Sequence, residues 1–177
     1  MDVMTTRQRP PRTPIQSYVE SGDHPVTHVT LFTGACEYCR AAWMLAGDRF
    51  HPIVPFAQLV CHSIELGLKS YLLFLGADEQ RLRSIGHDLL GAWEECRRQG
   101  LEVQFPAGWL MTLGYQYDGP FIFRYWRQGI GWSIPGTPKQ VAETTFAALR
   151  QIGAAIGDDG RQLALIPRTP LDPWPDP

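Results

Sequence analysis

At 177 residues, 44% apolar and 19% charged, the chain fits one globular domain with tails and can bury a sizeable core, which excludes a disordered protein. A formal net charge of −2 excludes a whole-protein field that would draw it to nucleic acid or anionic lipid. Any nucleic-acid contact must then come from a local patch.

Residues 1–30 are rich in Pro, Thr and Arg, hold no secretory signal, and read as an irregular arm. The four cysteines are accordingly expected as reduced thiols in the cytoplasm. A first helix is expected over Gly34 to Ala46. There Ala35, Cys36, Cys39, Ala42, Trp43 and Ala46 share helical spacing, Thr33 can cap and Gly47 can stop it. A second helix starts near Pro55, a residue suited to the first turn, and runs to Leu75, with Gly76 as its stop. His62, Glu65 and Lys69 interrupt this apolar segment, and charges at a bilayer centre cost several kcal/mol each. It is therefore read as a core helix, with no membrane partner.

Ala77 to Gly86 reads as a charged connection or a short helical turn. The third helix, near His87 to Gln99, places Leu89, Leu90, Trp93 and Cys96 on one face, with Arg97 and Arg98 complementing its C-terminal dipole before Gly100. Between 105 and 136, Trp109, Leu110 and Leu113 point to a short helix, and Asp118-Gly119-Pro120 forces a turn. Phe121 to Trp126 fits an extended run, and Gly129 to Gly136 a loop. In the last helix Thr137, Pro138 and Gln140 make a capping-box pattern, and Val141, Ala148, Leu149, Ile152, Ala155 and Ile156 form an apolar face up to Gly157. The tail from 158 to 177 is Pro-rich and reads as extended. The fold class is all-α: an up-and-down bundle of four to five helices over 31–157, between two arms.

Three groups of residues carry candidate chemistry. Gln58, His62, Glu65 and Lys69 fall within roughly 60° of one another on the second helix. Glu65 and Lys69 form an i,i+4 pair in the favourable orientation. This polar stripe is either a solvated or structural ion-pair face, or a seam lining a cleft or dimer interface. Gly86-His87-Asp88-Leu89 opens the third helix, where His or Asp commonly caps free N–H groups. His87 is also the best-placed group for proton transfer. With Arg81 or Arg83 just before it, it makes a minimal ribonuclease-like pair, the His moving a proton and the Arg stabilising phosphorane charge. Arg124-Tyr125-Trp126-Arg127, followed by Trp132, interleaves cations with rings as single-stranded nucleic-acid binders do. The same run also fits core aromatics with flanking surface arginines, or an Arg124 reaching in to pair with Glu65.

Cys36 and Cys39 have CxxC spacing, and Cys61-His62 could form the other half of a metal site. Both lie on the apolar face of a helix, where cysteine acts as a small hydrophobe, so no metal and no cofactor is expected. His62 and Glu65 at i,i+3 lack the second such pair that a metal-dependent enzyme would need.

The run from His62 to Gly76 resembles the second helix of HEPN-domain proteins, in which a Glu and a Lys four residues apart precede an aliphatic run and a Gly. Ile85-Gly86-His87-Asp88-Leu89-Leu90 is similar to that family's His-Asp-Leu helix opening, and Phe123-Arg124-Tyr125 to an Arg-Tyr element of some members. The resemblance covers about residues 34 to 157. It implies a helical bundle, often a homodimer, that binds RNA or a nucleotide and takes part in toxin–antitoxin or phage-defence systems. A nucleotidyltransferase or antitoxin is the implied partner. The binding residues would be Glu65, Lys69, His62, Arg124 and Arg127, with His87 and Arg81 as the catalytic pair of a metal-independent ribonuclease. Ribonuclease members carry Arg, four to six residues, then His at the start of a late helix. Pro138 to Ile156 contains no His, which argues against cleavage. The competing expectation is a non-catalytic helical interaction domain with a structural polar seam.

Overall fold

The computed structural model describes residues 25–47, 53–118 and 131–158. Among them the chain forms six helices and no strand: α1 (His28–Ala46), α2 (Ile53–Phe74), α3 (Glu79–Ile85), α4 (Leu89–Arg98), α5 (Ala107–Tyr117) and α6 (Pro138–Ala155). The all-α bundle expected from the sequence is therefore present, with the charged connection after Gly76 folded as the short α3. No helix of the described residues is long and apolar enough to cross a membrane.

A helix that is apolar nearly all round must be surrounded, and α2 touches all five of the others. Its most intimate neighbour is α1, which runs antiparallel to it: His28 meets Phe74 at one end, and Tyr38 meets His62 about three turns further on. Ser63 Oγ, buried between the two, donates to the Ala35 carbonyl at 2.8 Å and so satisfies its polar group inside the core. One turn further along the same face, α6 approaches closely at Gly67. A Cβ there would stand 2.8 Å from Leu149 Cδ2 and 3.3 Å from Ile152 Cδ1, so only hydrogen fits.

Helix ends follow local capping chemistry and move three boundaries from their expected places. α1 starts six residues before Gly34, because Thr27 and Thr30 form a capping box: each hydroxyl serves the other residue's backbone N–H, at 3.1 and 2.9 Å. Thr33 is accordingly an interior residue, its hydroxyl donating to the Val29 carbonyl. α4 starts at Leu89 and not His87, since Asp88 is the residue that accepts from Gly91 N–H, at 2.9 Å. α2 starts at Ile53, two residues before Pro55. The Thr137/Gln140 box of α6 forms as its sequence pattern predicts, with Pro138 in the first turn. The extended run assigned to Phe121–Trp126 and most of both terminal arms lie outside the described residues.

Beyond α5 the chain returns alongside it. Gln116, itself buried, takes the backbone of Ser133 in a two-point grip, its amide donating to the Ser133 carbonyl at 2.8 Å and accepting from the Ser133 N–H at 2.7 Å. This fixes the last turn of α5, the turn that carries Tyr117, against the inner bundle.

Candidate functional site

Glu65 lies in the middle of α2 and is 4% exposed. A carboxylate so placed must be met by donors or it is strongly destabilising. Lys69, one turn on, donates from Nζ to Oε1 at 2.7 Å. Tyr117, from the last turn of α5 and itself fully buried, donates its hydroxyl to Oε2 at 2.6 Å. His87 places Nδ1 3.0 Å from the same Oε2. Because an ionised carboxylate has no proton to give, His87 is the donor in that bond. His62, one turn before Glu65, puts Nδ1 3.0 Å from the Tyr117 hydroxyl and 3.6 Å from Glu65 Oε2, the second being an ion-pair separation and not a hydrogen bond.

Burial alone would push the Glu65 carboxyl up. The donors around it, His62, Lys69, Tyr117 and His87, outweigh burial and hold it well below the usual carboxylate range. The site is thus built around a fixed, buried negative charge.

The turn that brings His87 to this charge divides its tasks among three successive residues. Gly86 has a positive φ of 61° with ψ −128°, a conformation that side chains rarely adopt, and its carbonyl accepts from Lys69 Nζ at 2.7 Å. His87 turns inward to Glu65, and Asp88 caps α4. His87 is therefore not the cap, and Lys69 ties the carboxylate to the loop that carries the imidazole.

Four residues expected from the sequence, His62, Glu65, Lys69 and His87, are brought together. Gln58 is not part of this cluster; its Oε1 is buried without a hydrogen-bond partner among the described residues. Arg81 lies apart from the cluster. Its guanidinium goes to Glu95 at 3.2 Å, a carboxylate also taken by Arg98, so the Arg81–His87 pair does not form. Glu95 offers the guanidinium a full negative charge, which an imidazole does not. Arg124 and Arg127, and with them the suggested Arg124–Glu65 pair, lie outside the described residues. Sequence reasoning missed Tyr117, whose one signal was its spacing from Leu110 and Leu113 on the apolar face of α5.

Cys36, Cys39, Cys61 and Cys96 are all free and buried. Burial pushes the Cys36, Cys39 and Cys96 thiols up to about 12 and Cys61 well above its ordinary value, which makes them inert core residues. Among the described residues no group of three or more His, Cys, Asp or Glu is arranged to hold a metal ion.

What remains accessible is imidazole. The His62 and His87 side chains are 27% and 34% exposed, whereas Lys69 is 13% and Glu65 5% exposed. Two part-exposed rings thus lie over a buried anion. Such rings donate to anionic oxygens when protonated and accept from hydroxyls when neutral. No family model, no curated protein and no solved structure matches this chain.

Proposed function

We propose that the chain is a HEPN-like helical bundle whose Glu65-centred site binds RNA or a nucleotide through His62 and His87. One observation supports this reading above all: two part-exposed imidazoles from separate elements converge on a single buried carboxylate. A purely structural ion pair needs only Glu65 and Lys69. The two histidines drawn to the same carboxylate are part-exposed, at 27% and 34% of their side chains. Phosphate oxygens and ribose hydroxyls are the ligand groups that match such edges.

The proposal is for binding and not cleavage. Arg81 pairs with Glu95, and α6 carries no histidine, so the reading does not include phosphodiester cleavage. Homodimerisation, and a nucleotidyltransferase or antitoxin as partner, belong to the same proposal through the resemblance. Titration of labelled single-stranded RNA into wild type and His87→Ala tests it. Binding that weakens in the variant and falls steeply with added salt supports the reading; equal or salt-independent affinity opposes it.

A second reading is favoured by the saturation of Glu65. With Lys69 and Tyr117 on its two oxygens, and Lys69 also bridging to Gly86, the cluster serves as a staple between α2, α5 and the α3–α4 turn. In that case His87→Ala changes stability and leaves RNA affinity unaffected.

A further inference from the structure

Proton counting around Tyr117 gives a sharper statement about His62. A phenolic hydroxyl has one proton, and the 2.6 Å bond to Glu65 Oε2 uses it, since that oxygen belongs to an ionised carboxylate. The 3.0 Å contact between His62 Nδ1 and the Tyr117 oxygen must then be made with the ring nitrogen as donor. The 3.6 Å separation of the same nitrogen from Glu65 Oε2 requires the same assignment, because a lone pair there would face a negative oxygen. Tyr117 is 0% exposed and sits in the α5 turn gripped by Gln116, so its hydroxyl is held in place. The His62 ring is likewise held, edge to face with Tyr38 at 4.3 Å and 84°. Across the ring, Nε2 has no hydrogen-bond partner among the described residues.

We infer that Tyr117 is a positioning residue that locks His62 in the Nδ1–H tautomer, so that the neutral ring presents its Nε2 lone pair to a ligand hydroxyl and the site prefers ribose phosphates over their 2′-deoxy counterparts. The ligand preference rests on the nucleotide-binding reading given above; the tautomer does not. An isolated neutral histidine places its proton more often on Nε2, and the Glu65–Tyr117 pair reverses that choice. A ring with its acceptor outward takes a hydrogen bond from a 2′-hydroxyl, which is the group that separates RNA from DNA. Without that hydroxyl the acceptor has no donor to meet.

Two measurements on the full chain test this. The first is nitrogen-15 NMR of the imidazole rings at about pH 8, above the ordinary imidazole titration range. Wild type is expected to show His62 with its proton on Nδ1, and Tyr117→Phe, which keeps Glu65 Oε2 nearby, to raise the share of the Nε2–H form; an unchanged share in a folded variant assigns the lock to Glu65 and overturns the role of Tyr117. A wild-type ring protonated on Nε2 overturns the inference, whatever the variant does and whether or not it folds. The second compares a ten-nucleotide oligo(A) with the same oligo(dA). Wild type is expected to bind the ribo form about two- to tenfold more tightly, the range of one net hydrogen bond, and Tyr117→Phe to bring the ratio toward one. Equal binding of both by wild type, with the Nδ1–H tautomer present, overturns the ribose preference alone. If wild type binds neither, the nucleotide-binding reading fails and the ribose preference with it, while the NMR result still decides the role of Tyr117.

Discussion

His87 Nδ1 stands 3.0 Å from Glu65 Oε2, although the two residues lie 22 positions apart and belong to different elements. The distance links the middle of a core helix to an exposed turn. Lys69 spans the same gap by joining Glu65 to the Gly86 carbonyl, so the position of His87 depends on a carboxylate that it does not share a helix with.

Removing that carboxylate should be costly. Glu65→Ala leaves the Lys69 ammonium beside a cavity and removes the acceptor of Tyr117 and His87. The expected loss is about 3–5 kcal/mol, the scale for breaking a buried pair from one side. Urea unfolding of the variant measures it. A change below about 1 kcal/mol would show that the cluster is not a stabilising unit.

Acid unfolding should report the same group. Because the folded protein holds the Glu65 carboxyl below its ordinary value of 4.5, the contribution is fully present above that value. As pH falls through it, the unfolded chain takes up the proton first, and stability drops until the folded carboxyl protonates too. One such group gives a slope of about 1.4 kcal/mol per pH unit in that window. Glu65→Gln should flatten the slope by that amount between about pH 4 and pH 2, and an unchanged slope would contradict the ionised assignment.

Two glycine substitutions should differ in sign. At Gly67 the new methyl would meet Leu149 Cδ2 at 2.8 Å, and Leu149 is only 1% exposed, so Gly67→Ala is expected to destabilise by about 1–3 kcal/mol despite its better helix propensity. At Gly108, in α5, nothing lies within 4 Å of the added carbon, and Gly108→Ala should stabilise by about 0.5–1 kcal/mol. Thermal melts of the two variants side by side decide the matter; a stabilised Gly67→Ala would mean that α6 does not pack against α2 as closely as described.

The four thiols should be silent in the native state. All are buried, and burial raises each well above the range in which a thiolate forms near neutral pH. A colorimetric thiol reagent at neutral pH is expected to find almost none in the folded protein and all four after denaturation. Rapid reaction of one or more in the native protein would place that cysteine at the surface.

Much of this is legible in the sequence, and the gaps have physical causes. The Glu65/Lys69 spacing and the Gly86-His87-Asp88 opening are local patterns, and both halves of the site followed from them. That the two halves meet is a tertiary fact, and helix periodicity alone does not contain it. Tyr117 was missed for the same reason: it reads as one more apolar position before Asp118, and only burial against α2 turns its hydroxyl into a ligand of Glu65. The Arg81–Glu95 pair is not legible for the same reason: the two lie fourteen positions apart on different helices, whereas His87 is the nearer residue in sequence. The early start of α1 was hidden because Thr30 plays the part usually taken by Glu or Gln in a capping box.

On the proposed reading, His62 and His87 form a ligand-binding edge over Glu65. Its most direct test is the affinity of fluorescent single-stranded RNA for wild type and for the His62→Ala/His87→Ala double variant, measured at low salt with folding verified by thermal melt. The account predicts that the variant stays folded and binds at least about tenfold more weakly, a loss of about 1.4 kcal/mol. A folded double variant with wild-type affinity would contradict it and leave the cluster as a structural staple.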